Sequence, residues 1–239
     1  MDTIRRDAST AGLLYLLLVL VAPLRLVYIP SQLFVSDDMV ATAANIAAHP
    51  GLFRLGILGD LFCATLEVFL TLALFRLFKD VDRRSAVLMA VLGLMPVPLY
   101  FVNVFNDVAM AHLLLGPASP AGFDAAQVAS LVGLAASLHD AGIHMLQIFW
   151  GAWLFPLAAL AWKSRLMPRF VAVWLTVNGV AYLALSVTGL AVPAWNGTVS
   201  LLAFPAQLGE VAFVACLLWR GLRGHRALHD PARAAGAVA

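Results

Sequence analysis

Ionisable and amide side chains interrupt several otherwise apolar stretches of this sequence. Those that could bind an ion or exchange a proton are Arg54, Asp60, Asp107, His144, Gln147 and Glu210. A charged side chain at the centre of a membrane helix costs about 2.5–3.5 kcal/mol on insertion scales, so each needs a partner or water. An arginine can neutralise an anion or a carboxylate, and carboxylates can exchange protons. We therefore take these six residues as the candidate ligand-binding site.

The spacing of these residues predicts which helix faces carry them. One stripe of the fourth apolar stretch holds residues at i, i+4, i+7 and i+11, namely Asp140, His144, Gln147 and Gly151. Asp60 and Glu67 are seven residues apart and share a helix face. Arg54 and Asp60 are separated by about 9 Å of helical rise. We expect one polar cluster in the outer half of the bundle, in which Arg54 neutralises Asp60 or Asp107.

Other roles for the polar residues stay open. Polar side chains can fix helix order through interhelical hydrogen bonds, each contributing about 0.6 kcal/mol on average. Arg25 falls near the end of the first apolar stretch, where its side chain can reach the lipid headgroups. The histidines show no helix-face ligand spacing, and no zinc-protease, nucleophile-elbow or phosphate-loop motif is present. The sequence therefore predicts no metal and no cofactor.

The distribution of basic residues predicts how the chain crosses a membrane. Thirteen of the 15 lysines and arginines fall into four clusters, at positions 5–6, 76–84, 163–169 and 220–233. Room for two crossings separates consecutive clusters. Because positive side chains near span ends stay in the cytoplasm, six spans with both termini cytoplasmic are predicted. Only 12% of residues are charged, against about 25% in soluble domains, so lipid must solvate much of the surface.

The predicted fold is an all-α polytopic membrane bundle, a single domain of 239 residues. Its six spans cover about 11–28, 52–77, 85–110, 142–162, 170–190 and 201–219, each long enough for a bilayer. The tail at 220–239 is predicted to be poorly ordered. Pro96 and Pro98 predict a kink in the third span.

Two outer segments are too long to be simple turns. Positions 29–51 contain the helix-start signal Ser36-Asp37-Asp38, and positions 113–140 contain a capping box between Asp124 and Gln127. We predict two short extracytoplasmic surface helices there. They either shield the outer ends of the bundle or form a lid over a cavity.

Several segments resemble a family of bacterial multi-pass membrane proteins catalogued as domain of unknown function 4386. The similar segments are 12–16, 53–61, 144–151, 178–182 and 205–210. The most specific of them is Phe-Arg-Leu-Gly-x-x-x-Asp-Leu at 53–61, and the similarity extends over nearly the whole chain. The resemblance implies a six-helix integral membrane protein and implies no activity.

Three hypotheses about function follow. The first is an integral membrane protein that binds or transports a small molecule or ion at the polar cluster. The second is an intramembrane enzyme with His144 as general base and a carboxylate that orients it; no nucleophile is evident, so the sequence leans away from an enzyme. The third is a non-catalytic scaffold subunit. The expected partner is the lipid bilayer of a bacterial inner or plasma membrane, and the small net charge of +2 does not indicate nucleic-acid binding.

Overall fold

The fold was analysed in a computed structural model that describes residues 2–36, 38–116 and 122–228. The described chain is helical, without strands. Its elements in order are α1 (Asp2–Pro23), a π-helical turn (Leu24–Tyr28), α2 (Ile29–Leu33), α3 (Met39–Ala48), α4 (Pro50–Phe78), α5 (Arg83–Leu94), α6 (Pro96–Leu115), α7 (Ala125–Ser164), α8 (Arg169–Ala191) and α9 (Pro193–Leu228).

Six of these helical stretches are long and apolar enough to cross a membrane. They are Thr3–Leu33, Pro50–Phe78, Arg83–Leu115, Ala125–Ser164, Arg169–Ala191 and Pro193–Gly221. The prediction of a six-span all-α bundle is confirmed. The cytoplasmic placement of the termini stays a prediction, and the end of the bundle that holds α3 is called the outer end on that basis. The predicted disordered tail is helical as far as Leu228, and its remainder lies outside the described residues.

The spans pack in chain order around a closed ring. The first span contacts α4, α4 contacts α5 and α6, these contact α7, and α7, α8 and α9 follow until α9 returns to α1. Aromatic side chains fill the centre, where Tyr15 packs against Trp153 and Phe213 with ring centroids 6.1 and 6.0 Å apart. The polar side chains that point inward are therefore held within reach of several helices.

Close backbone contact joins α7 to α8. A Cβ atom on Gly151 would lie 2.7 Å from the Gly179 carbonyl oxygen, and a Cβ on Gly179 would lie 2.9 Å from the Gly151 carbonyl oxygen. Small residues that let membrane helices approach this closely are typical of tight interfaces. The two glycines set the distance between α7 and α8.

The outer segments differ from each other. Helix α3 is the first predicted short helix, capped by Asp38, whose carboxylate accepts from the Ala41 amide at 2.8 Å. In the second segment the capping box of Asp124 and Gln127 is confirmed, but the helix that it opens continues into the fourth span. Among the described residues of this segment no separate surface helix forms, because the helix that begins at Ala125 continues to Ser164. At 40 residues α7 is about 60 Å long.

Two further span boundaries have local causes. The third span is interrupted at Met95, between α5 and α6, and Pro96 is the first residue of α6. The kink expected at this proline stays a prediction. The first span does not end at Tyr28 as predicted. It continues through the π-helical turn and α2 to Leu33, which moves Arg25 away from the span end and into the bundle.

Candidate functional site

The outer polar cluster is centred on Arg25 and Asp60. The Arg25 Nε atom donates to Asp60 Oδ2, and Tyr100 donates its hydroxyl proton to Asp60 Oδ1 at 2.6 Å. Asp60 is completely buried and Arg25 is 7% exposed. Three elements, the π-helical turn, α4 and α6, thus meet at a single carboxylate whose two oxygens both accept hydrogen bonds.

The π-helical turn explains how Arg25 reaches this position. It covers Leu24–Tyr28, directly after Pro23, which cannot donate a backbone hydrogen bond. A π-turn contains one more residue than an α-turn and rotates the following side chains around the helix. Such turns are rare in proteins overall, but many of those that occur lie at functional sites. Here the extra residue turns Arg25 towards α4 and buries its guanidinium.

His139 on α7 is the third member of the cluster. Arg25 Nη2 lies 3.1 Å from His139 Nε2. A guanidinium can only donate, so Nε2 is placed to accept. Nδ1 lies 2.8 Å from Asp107 Oδ2 and 3.5 Å from Asn103 Nδ2. The imidazole of His139 thus lies between a guanidinium and a carboxyl group.

Asp107 on α6 completes the cluster and is the least satisfied of its members. Its Oδ2 atom lies 3.9 Å from Arg25 Nη2, but no donor in the described part of the chain makes an aligned hydrogen bond to that oxygen. A cavity of about 10 Å³, enough for about one water molecule, is lined by Arg25, Asp107 and apolar side chains. One guanidinium thus faces two carboxyl groups in this cluster.

Three members of the cluster could in principle hold a metal ion. Asp60, Asp107 and His139 each offer a ligand atom, and these atoms lie within 4.8 Å of one another. Arg25, however, contacts Asp60 and His139 directly and occupies the position of a counter-cation. A divalent ion would have to displace a buried guanidinium. The donor set therefore fits a site in which the Arg25 guanidinium, and not a metal ion, is the cation.

Glu210 does not belong to the outer cluster. It accepts a hydrogen bond from Tyr15 on α1 and, at 2.7 Å, from Asn178 Nδ2 on α8. Glu67 on α4 lies near Glu210, so the two carboxyl groups form a deeper, inner cluster. Seven residues of α4, about 10 Å of helical rise, separate Glu67 from Asp60.

The remaining predicted site residues lie elsewhere. His144 and Gln147 pair with each other, with Nδ1 and Oε1 3.1 Å apart, and the His144 ring packs over Gly189 of α8. Within the described residues, His144 contacts no carboxylate. The structure thus brings Asp60 and Asp107 together and leaves His144, Gln147 and Glu210 outside their cluster.

The expectation that Arg54 neutralises Asp60 or Asp107 is wrong. Arg54 is exposed and makes no ion pair with any described residue. Six residues of an α-helix rotate the chain by about 240°, so Arg54 and Asp60 occupy different faces of α4. The expected placement of Arg25 at the headgroups is also wrong, because the first span continues beyond it to Leu33.

Sequence reasoning missed three members of the cluster, namely Arg25, Tyr100 and His139. A signal for Arg25 was present: outside the four basic clusters the chain has only two basic residues, Arg25 and Arg54. His139 was assigned to the boundary of a span, since α7 was expected to begin later. Tyr100 carries no sequence signal, because a buried tyrosine in an apolar stretch is indistinguishable from a packing residue.

The six apolar helices define this chain as an integral, multi-pass membrane protein. It belongs to the family described as Domain of unknown function (DUF4386), whose model matches residues 10–221 and thereby confirms the suspected family. Comparison with curated proteins and with solved structures gives no match.

Proposed function

We propose that this membrane protein binds a proton at the outer polar cluster, with His139 as the group that takes it up. The observation that carries the proposal is the paired contact of His139, whose Nε2 accepts from Arg25 while Nδ1 faces Asp107. His is the side chain whose charge ordinarily changes near physiological pH. Two carboxyl groups beside one guanidinium favour the uptake of one further positive charge.

Protonation changes the contacts of His139 in a defined way. An imidazolium donates from both nitrogens, so its Nε2–H would point at an Arg25 N–H. Two donors repel each other, whereas the ion pair with Asp107 becomes stronger. Proton uptake would therefore separate His139 from Arg25 and shift α7 relative to the first span. This coupling of charge and helix position is what a proton-driven binding or transport cycle needs.

The size of the cavity supports a small ligand. A volume of about 10 Å³ accepts a water molecule or a single ion and is too small for an organic molecule. The enzyme hypothesis receives less support. The His139 ring lies 2.8 Å from Asp107 Oδ2, but no hydroxyl or thiol group among the described residues contacts His139.

The test is a pH titration of the purified protein in micelles, followed by NMR of the side-chain nitrogens of histidine and arginine. At neutral pH we expect His139 to carry its proton on Nδ1. On acidification it should become an imidazolium, and the Arg25 Nε–H resonance should shift with the same midpoint. His139→Gln is the matched variant, since its amide can accept from Arg25 and donate to Asp107 but cannot titrate. In this variant the Arg25 resonance should become independent of pH.

Two outcomes would contradict the proposal. One is a His139 ring that stays neutral at every pH at which the protein remains folded. The other is a shift of the Arg25 resonance that follows sodium or potassium concentration at constant pH and persists in His139→Gln. The second result would identify a monovalent metal cation as the ligand in place of the proton.

A further inference from the structure

The inner carboxyl pair, Glu67 on α4 and Glu210 on α9, contains the only two glutamates in the chain. Both lie inside spans, and Glu67 is 8% exposed. Tyr15 and Tyr182 each lie near both carboxyl groups, and Trp150 lies beside Glu67. Five spans therefore enclose two acidic groups at one level of the bundle.

Within the described part of the chain, no cation balances these two acids. The described groups around them are the phenols of Tyr15 and Tyr182, the indole of Trp150, the amide of Asn178 and the thiol of Cys63, and none carries a positive charge. The buried arginine, Arg25, is committed to the outer cluster. Two neighbouring carboxylates without a counter-ion in a low-dielectric site cannot both remain ionised.

The hydrogen bonds around Glu210 are also incomplete. Asn178 is fully buried and donates Nδ2 to Glu210 Oε1, but its Oδ1 atom has no donor among the described residues. An ionised carboxylate only accepts hydrogen bonds and cannot satisfy this oxygen. A protonated carboxyl group has an O–H to donate, and a rotation of the Asn178 amide would bring Oδ1 towards it.

From this arrangement we propose that Glu67 and Glu210 form a second, inner proton-binding site that holds one proton shared between the two carboxyl groups. The proton removes one of the two negative charges, and it becomes a donor for Asn178 Oδ1 once the amide has rotated. Tyr15 and Asn178 fix the carboxyl group of Glu210 in place.

The inner site is distinct from the outer cluster but connected to it by aromatic rings. Tyr100, which donates to Asp60, packs edge-on against Trp150 with centroids 6.1 Å apart, and Trp150 packs in the same way against Tyr182. Among the described residues, aromatic rings thus lie between the two clusters. The inner site can therefore bind its proton whether or not His139 titrates, and the two proposals fail separately.

The test uses dicyclohexylcarbodiimide, an apolar reagent that modifies protonated carboxyl groups within membranes. We expect wild-type protein in micelles at neutral pH to be labelled at Glu67 or Glu210, as mapped by mass spectrometry, and labelling to decline at alkaline pH. Glu210→Gln and Glu67→Gln, which preserve side-chain shape, should each change the labelling of the remaining glutamate. His139→Gln should leave the labelling unchanged, because it alters only the outer cluster.

A second measurement, made on the wild-type protein, keeps the proposal testable if the variants fail to fold. Infrared spectra of the wild-type protein should contain a protonated carboxyl C=O band that disappears on alkaline titration and is absent from folded Glu210→Gln. The proposal is overturned if neither glutamate is labelled at any pH and this band is missing. Protection from labelling by sodium at constant pH would also overturn it, since a metal cation would then occupy the pair.

Discussion

The guanidinium of Arg25 and the carboxylate of Asp60 are in direct contact across the interface between the first span and α4, and lipid and water reach neither group appreciably. Removal of one partner from a buried pair is far more damaging than removal of both, because it leaves a single uncompensated charge. Because of this asymmetry, substitutions of one partner and of all partners together can measure how the ion pair contributes to stability.

We predict that Asp60→Asn lowers the free energy of unfolding by about 3–5 kcal/mol, measured by reversible denaturation in mixed micelles. The triple variant Arg25→Met, Asp60→Leu, Asp107→Leu should recover part of this loss, because the buried guanidinium and both carboxyl groups beside it are then removed together. Arg54→Met is the matched control, and we expect a change within about 0.5 kcal/mol for this exposed residue. A cost for Arg54→Met equal to that of Asp60→Asn would contradict the assignment of Arg25.

The close approach of α7 and α8 leads to a prediction about glycines. Gly151→Ala should destabilise the protein, because the new Cβ atom would lie 2.7 Å from the Gly179 carbonyl oxygen and force the helices apart. Gly197→Ala on α9 is the matched control, since no atom lies within 4 Å of its Cβ position. Its higher helix propensity should add up to about 1 kcal/mol. The midpoint temperature of thermal unfolding should therefore fall for Gly151→Ala and rise for Gly197→Ala. A shift of both midpoints in the same direction would argue against the glycine contact.

Asp82, in the turn between α4 and α5, gives a prediction about acid. The Lys163 ammonium and the Ser85 amide and hydroxyl donate to its carboxylate and lower its pKa to about 2. A group with a lowered folded-state pKa stabilises the protein above its unfolded pKa, about 3.9. That contribution disappears as pH falls through about 2.

Between about pH 4 and pH 2 the wild-type protein should therefore lose more stability than Asp82→Asn. Asparagine is chosen because it also caps helix N-termini, so the comparison isolates the charge. Thermal unfolding across this range provides the measurement. Asp80→Asn, in the same turn, should retain the wild-type acid dependence, and parallel curves for wild type and Asp82→Asn would refute the role of this carboxylate.

The orientation of the chain can be tested with single cysteines in a background in which Cys63 and Cys216 are replaced. We expect a cysteine at Asp80 to be protected from an impermeant thiol reagent in intact cells. A cysteine at Val40 on α3 should react, because α3 lies at the opposite, outer end. Labelling of the Asp80 position in intact cells would invert the topology.

The six crossings were predictable because hydropathy and basic clusters depend only on which residue types follow one another along the chain, and not on how helices pack. The membership of the outer cluster was not, because it depends on the rotation of side chains around helices. Arg25 and Arg54 are equivalent in sequence, and only the π-helical turn and the extension to Leu33 decide which is buried. A π-turn has no reliable residue signature, so the sequence alone does not show which of the two arginines is buried.

The separation of the polar residues into two clusters has a similar cause. Glu210 and Asp60 were expected at one level, but the register of α9 against α1 and α8 places Glu210 beside Tyr15 and Asn178. Register between helices follows from packing of side chains from both partners. The sequence of one helix therefore predicts which residues share its face, but not what that face meets.

The uninterrupted length of α7 has a mechanical consequence. This one rod carries His139 in the outer cluster, Trp150 beside Glu67, and Lys163 in contact with Asp82. His139 and Lys163 are 24 residues apart, or about 36 Å along the axis. If His139 binds a proton as proposed, a small tilt of α7 about its middle would displace Lys163 in the direction opposite to His139.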